Sequence, residues 1–249
     1  FSDYIDDCPD IAEGPLQTGD ISRGNGQTPM PPDLLKPPGL VGLIAAYGNR
    51  SAYRDQPIMA VVAGLVTLSH LVENLIIVGS YRTTLNIYMI LVGESGEGKE
   101  APRNVVKACL ASVHRLETVK ESVASGPALV RALSDTNRIT LMFDEIGRSL
   151  RLASNPNSGH LYELMTEITK LYGLANSSHA GKVYADRREN IRPIERPYVI
   201  VFGATTQRSL TDALSYSDVL DGTLNRYLVV QTDNRQPEFQ EPDPVMPLE

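Results

Sequence analysis

The stretch "LVGESGEGKE", Leu91 to Glu100, has the spacing of a phosphate-binding loop: Gly93, four residues, Gly98, then Lys99. Glycines there let backbone N–H groups turn inward and approach an anion, and a helix starting at the loop aims its N-terminus at the charge. Lys99 would reach the β- and γ-phosphates of ATP, so Gly93, Glu94, Ser95, Gly96, Glu97, Gly98, Lys99 and Glu100 are the expected nucleotide contacts. Glu100 stands where a Ser or Thr would hold magnesium. A carboxylate beside phosphates repels them unless a cation lies between, which makes Glu100 a candidate Mg2+ ligand. Alone, the stretch also reads as a glycine turn joining two elements.

A second group lies in "LMFDEIG", where Asp144 and Glu145 follow an apolar run. At the carboxyl end of a buried strand, one acid can hold magnesium and the next can activate the attacking water. Asp144 is the expected metal ligand and Glu145 the expected base. Thr205 and Thr206, in "VIVFGATTQ", end another apolar run. Thr205 is placed to touch the γ-phosphate or the lytic water, although a Thr-rich turn capping a helix explains the same letters. The order of loop, acids and Thr is that of P-loop ATPases. Arg226, in "DGTLNRYLVV", is a candidate arginine finger for a neighbouring subunit or an ordinary ion-pairing Arg.

The segment Gly181 to Arg196 carries Lys182, Arg187, Arg188, Arg192 and Arg196 against Asp186, Glu189 and Glu195, five cations against three anions. Lys182, Arg187, Arg188 and Arg192 are its candidate DNA contacts, and a solvated hairpin is the plain alternative. The whole chain is acidic, with net charge −7 over 249 residues, so no global field draws it to nucleic acid. His70, His114, His160 and His179 show no metal spacing, nor do Cys8 and Cys109, which fit a reducing cytoplasm.

These groups need elements to hold them. "NIYMILVG", "RITLMFDEIG", "RPYVIVFGATT" and "NRYLVVQTD" read as four strands. "NVVKACLASVHRLETV", "GPALVRALSD", "LYELMTEITKLYGLA" and "SLTDALSYSDVL" read as helices between them. The alternation predicts an α/β fold, a P-loop NTPase core with a parallel sheet and helices on both faces. A Pro-rich arm is expected over 1–40, a helical segment over 41–84, the core over 85–234 and a Pro-rich tail over 235–249. The apolar run from Ile58 to Gly79 is interrupted by His70, Glu73 and Asn74, so it reads as a core helix and not a membrane span. The chain opens without Met, as a fragment or processed form would, and no secretory signal is visible.

"PPDLLKPPGLVGLIAAYGNRSAYRDQPIMAVVAGL", "NIYMILVGESGEGKEAPR", "LMFDEIGRSL", "VIVFGATTQRSL" and "DGTLNRYLVV" together resemble the phage and prophage P-loop ATPases known as helicase or primase-helicase-like. The resemblance runs from about Pro31 to Val230, and an acidic residue after the loop Lys, as in "GKEAPR", is frequent in that family. It implies a RecA-like or AAA+-like core that uses ATP and Mg2+ and assembles as a homo-oligomeric ring, a hexamer by expectation. It also implies single-stranded DNA as a partner, helicase activity in replication and an associated primase. A DNA-packaging or regulatory NTPase and a degenerate ATP-binding scaffold are the alternatives from other classes.

Overall fold

The computed structural model describes residues 32–73, 77–78, 83–153, 158–186, 188, 190–214, 224–232 and 238–243. A 3-10 turn at Pro32–Leu35 precedes α1 (Gly39–Ser51) and α2 (Pro57–Val72). Pro57 opens α2 where a helix has no use for the missing N–H. The two-residue strands β1 (Ile77–Val78) and β2 (Thr83–Thr84) pair antiparallel.

Then come β3 (Tyr88–Val92), α3 (Glu100–Ser112), β4 (Val119–Lys120), α4 (Gly126–Thr136), β5 (Arg138–Phe143), α5 (Ile146–Ala153) and α6 (Gly159–Tyr172). The small hairpin strands β6 (Ser178–His179) and β7 (Ile194–Glu195) are followed by β8 (Tyr198–Thr205), α7 (Gln207–Leu214) and β9 (Tyr227–Gln231). Ser125 caps α4 by accepting from the Ala128 N–H at 3.4 Å, and Asn137 ends it in the left-handed region with φ 58°.

Five strands form one all-parallel sheet in the order β4-β5-β8-β3-β9. The connection from β3 to β4 crosses the sheet one way, and every later connection runs back the other way. Because such crossovers are right-handed, a change of direction puts the helices on opposite faces. The packing obeys this rule. Val105, Val106 and Leu110 of α3 share one core with Ile44 of α1, Val62 of α2, Met89, Leu91, Ile200 and Phe202. Leu129 and Leu133 of α4, Leu150 of α5, Ile168 of α6 and Leu210 of α7 share the other with Tyr88, Ile90, Val199 and Val201.

Alternate residues of each strand thus serve alternate cores, and the continuous apolar runs follow from burial on both sides. Each fully buried Leu or Val contributes about 1.5–3 kcal/mol. Gly203 lets α5 come close, since a Cβ there would lie 2.6 Å from the Ile146 Cβ.

The parallel α/β architecture, the helices on both faces and the helical N-terminal segment agree with the sequence. Several details do not. The stretch Leu116–Val119, expected at the end of a helix, is a 3-10 turn running into β4, a fifth strand. The residues after Glu145, expected to close a strand, form α5. Helix α1 begins at Gly39, inside the expected arm, and residues 1–31 lie outside the described residues. Residues 238–243 of the expected Pro-rich tail carry a feature the sequence did not indicate: they are hydrogen-bonded to α1 and the turn after it. Among the described residues, no helix is long and apolar enough to cross a membrane.

His70, fully buried at the end of α2, pins this framework together. Its Nδ1 lies 2.7 Å from Thr140 Oγ1 on β5, and its Nε2 lies 3.0 Å from Thr118 Oγ1 just before β4. Burial above all, with Arg138 and Arg115 nearby, pushes its pKa down to about 3. In the unfolded chain it returns to about 6.5, so below that pH only the unfolded state takes the proton. Its contribution is full above about pH 6.5 and falls by up to about 1.4 kcal/mol per unit as pH drops toward 3. Denaturant midpoints measured between about pH 7 and pH 5 should therefore fall, and fall less steeply in His70→Gln.

Candidate functional site

The site forms where the sheet changes direction, between the carboxyl ends of β3 and β8, the place where open α/β sheets bind ligands. The Gly93 N–H donates to the Thr205 carbonyl at 3.1 Å and extends the parallel ladder one residue past β3. Gly96 and Gly98 both take φ 86°, a backbone shape that L side chains rarely adopt, so the loop is curled by its glycines. The Ala101 N–H then donates to Gly98 at 2.9 Å as α3 begins.

Lys99 folds back into the mouth of this loop. Its Nζ donates to the carbonyls of Gly93 at 2.7 Å and Thr205 at 3.3 Å. The ammonium stands between the two strand ends with the first turn of α3 beside it. An anion there would meet a cation and the positive end of α3 together.

The acids around Lys99 are each held differently. The Thr205 hydroxyl, on a fully buried residue, donates to Glu145 Oε1. Asp144 has a side chain 78% exposed, and Arg103 Nη1 donates to its Oδ1 at 2.5 Å. The same guanidinium reaches Glu121 at 2.9 Å through Nη2, and Lys107 reaches Glu121 at 3.1 Å. The Lys107 hydrogen bond, with Arg103, holds the Glu121 carboxyl below its usual range. Glu100 is exposed on the first turn of α3.

Ser95, Gly96, Gly98, Lys99, Glu100, Asp144, Glu145 and Thr206 all line one cavity of about 770 Å³. Glu94 is exposed on the loop. Thr206 also accepts from the Ser209 N–H at 3.2 Å, as the start of a helix requires.

The side chain of Glu97, another of the expected nucleotide contacts, is fully buried. Thr232, just past β9, donates to Glu97 Oε2 at 2.5 Å, while Oε1 has no hydrogen-bond partner among the described residues. A Cβ on Gly93 would come 2.6 Å from that Oε2, so Gly93 makes room for the buried acid. The glycine loop is thereby fastened to β9 as well as to β8.

The other candidates lie elsewhere. Arg226 ends a 3-10 turn at the amino end of β9, with its guanidinium carbon 6.0 Å from the centre of the Tyr172 ring. Lys182 is an ion-pair partner of Glu167 at 3.0 Å, and His179 meets the other oxygen of that buried carboxylate at 2.9 Å. Lys182, one of the expected DNA contacts, thus ties the β6–β7 hairpin to α6. Arg187 lies outside the described residues. Arg188 and Arg192 line a separate cavity of about 700 Å³ with Arg131 and Asn137. Asn137 precedes β5, so this second cavity sits at the amino ends of the strands, opposite the glycine loop.

Arg103, Thr232 and Arg131 carried no sequence expectation. Only Arg103 had a visible mark, as the last letter of "GKEAPR".

The described chain is an α/β protein whose five-stranded parallel sheet is compatible with a Rossmann- or P-loop-like fold. Neither the family models nor the curated proteins contain a match to it.

The Thr232–Glu97 contact sets a stability expectation. Thr232→Val should strand both oxygens of a buried carboxyl and cost about 1–3 kcal/mol. Denaturant unfolding should show a lower midpoint at unchanged slope.

Proposed function

We propose that this chain binds and hydrolyses ATP at the Lys99 cavity, as a P-loop motor of a phage or other mobile element. The observation that carries the reading is the Lys99 ammonium at the switch point, beside a Thr-held Glu145. In this reading the triphosphate lies along Ser95–Glu100, with its negative charge met by Lys99 and by the positive end of α3. Thr205 fixes one oxygen of Glu145, and the Glu145 carboxylate takes the proton from the attacking water.

Magnesium, when bound, would neutralise phosphate charge and orient the triphosphate. Asp144 and Glu100 are the residues that would hold it. Both are hard oxygen donors on the same cavity as Lys99, and Arg103 engages Oδ1 of Asp144 while leaving Oδ2. A magnesium ion that keeps waters and phosphate oxygens needs only one or two carboxylates, so the set fits.

The family resemblance implies a homo-oligomeric ring, in which Arg226 is the candidate arginine finger. It sits at the amino end of β9, roughly 16 Å of strand from the carboxyl end that faces its own glycine loop. A phosphate within its reach belongs to a neighbouring subunit, in a ring that the family resemblance makes a hexamer. In this reading Arg188 and Arg192, exposed at the second cavity, meet single-stranded DNA, and helicase work beside a primase is the role the resemblance implies.

Measured phosphate release tests the reading. Lys99→Ala should abolish turnover, and Glu145→Gln should retain ATP while slowing hydrolysis about 10²–10⁴-fold. The Arg103–Asp144 ion pair favours one rival, a scaffold that binds ATP without turning it over. ATP retention with no phosphate release, with or without single-stranded DNA, is that rival's outcome.

The DNA assignment is tested separately. Arg188→Glu with Arg192→Glu should leave basal hydrolysis intact and remove its stimulation by single-stranded DNA. The log–log salt slope of binding should flatten by roughly 0.7 for each phosphate that is no longer neutralised.

A further inference from the structure

The cavity around Lys99 extends well past the glycine loop. It continues between α3 and the turn joining α1 to α2, where Tyr47, Tyr53 and Gln56 line it together with Asn104 of α3. The floor of this extension is small and apolar, and the helices beneath it meet closely. A Cβ on Gly48 would lie 3.2 Å from the Ala60 Cβ and 3.4 Å from Val105 Cγ2. Aromatic faces, small apolar residues and a few amides, with Arg54 beside them, suit a flat heteroaromatic ring. A side-chain amide offers both donor and acceptor to the edge of such a ring. The full volume, about 770 Å³, is that of a small-molecule site and exceeds what a phosphate chain at Lys99 would fill.

One wall of this extension is held from far along the sequence. Residues 238–243 return to the end of α1, where the last carbonyls of a helix lack partners. The Gln240 N–H donates to Tyr53 O at 2.9 Å, and Gln240 Nε2 donates to Asn49 O at 2.6 Å and Ala52 O at 2.8 Å. The Asp243 N–H donates to Arg50 O at 2.8 Å. Phe239 stacks on Tyr53 with ring centres 5.5 Å apart and planes 24° from parallel. Ordering an extended strap costs chain entropy, and these contacts offset it while fixing where Tyr53 stands.

We infer that the α1–α2 turn is the nucleobase subsite, with the adenine of the triphosphate against Tyr53, its edge read by Asn104, and the 238–243 strap holding the wall. The inference rests on the glycine loop being the triphosphate site. Tyr53 and Asn104 touch the base, and Gln240 and Phe239 act through Tyr53 as positioning residues.

The test compares two probes on the full chain with magnesium: ATP, and inorganic tripolyphosphate, which has no base. Tyr53→Ala should weaken ATP about tenfold. Gln240→Ala should act in the same direction, and both should leave tripolyphosphate unchanged. Phe239→Ala, at a residue 70% exposed, repeats the comparison with little risk to folding. Equal loss of both probes, or loss of neither, overturns the base subsite while the glycine-loop reading stands. A Lys99→Ala variant that still holds tripolyphosphate sinks the glycine-loop reading and the subsite with it.

Discussion

Lys99 joins carbonyl oxygens from the ends of two neighbouring strands, and the site depends on that bridge. Charge-assisted hydrogen bonds of this kind contribute about 1.5–3 kcal/mol each. The bridge exists only because β8 lies beside β3, and that adjacency comes from crossover geometry. A first connection to the far edge, followed by right-handed returns, leaves β3 and β8 as neighbours whose helices sit on opposite faces. The apolar alternation of Tyr88, Met89, Ile90 and Leu91 then locks the register, since a one-residue slip would exchange the two cores.

Around that bridge, five carboxylates lie within a few residues of the loop or of β5; Glu94 is exposed, and the other four are separated by environment. Glu97 is buried against Thr232, Glu145 is engaged by Thr205, Asp144 is met by Arg103, and Glu100 faces solvent. Their identical chemistry is divided by what touches each: a buried hydroxyl, a hydroxyl at the end of a neighbouring strand, a guanidinium, or water. The acidic balance of the whole chain says little about this neighbourhood, where Lys99, Arg103 and Lys107 set the local field.

How much of this was legible beforehand depends on the range of the interaction concerned. The strands around Tyr88–Val92, Arg138–Phe143 and Tyr198–Thr205 could be read because burial on both faces leaves an unbroken apolar run. The loop could be read because its curl needs glycines, two of which take φ 86°. Strand β4 could not, since two half-buried residues, Val119 and Lys120, carry no periodicity at all. Helix α5 escaped because its eight residues follow directly on an acidic pair that reads as the close of a strand. The burial of Glu97 depends on Thr232, 135 positions away. Lys182 looked like part of a basic run, and only the fold brings Glu167 beside it. Side-chain partners chosen across the fold leave no local trace.

The shortness of β4 also decides how the sheet meets its surroundings. Only Val119↔Thr140 and Lys120↔Leu141 pair there, so β4 presents an outer margin of two residues, one of them a lysine. An open margin of a sheet can recruit stray extended chain, and growth by such recruitment is how fibres begin. Here an intruding strand would find almost no ladder to copy and an ammonium close by. On that side the sheet brings its own growth to a stop, and a crowded cell can hold many copies of the fold without their stitching together along β4.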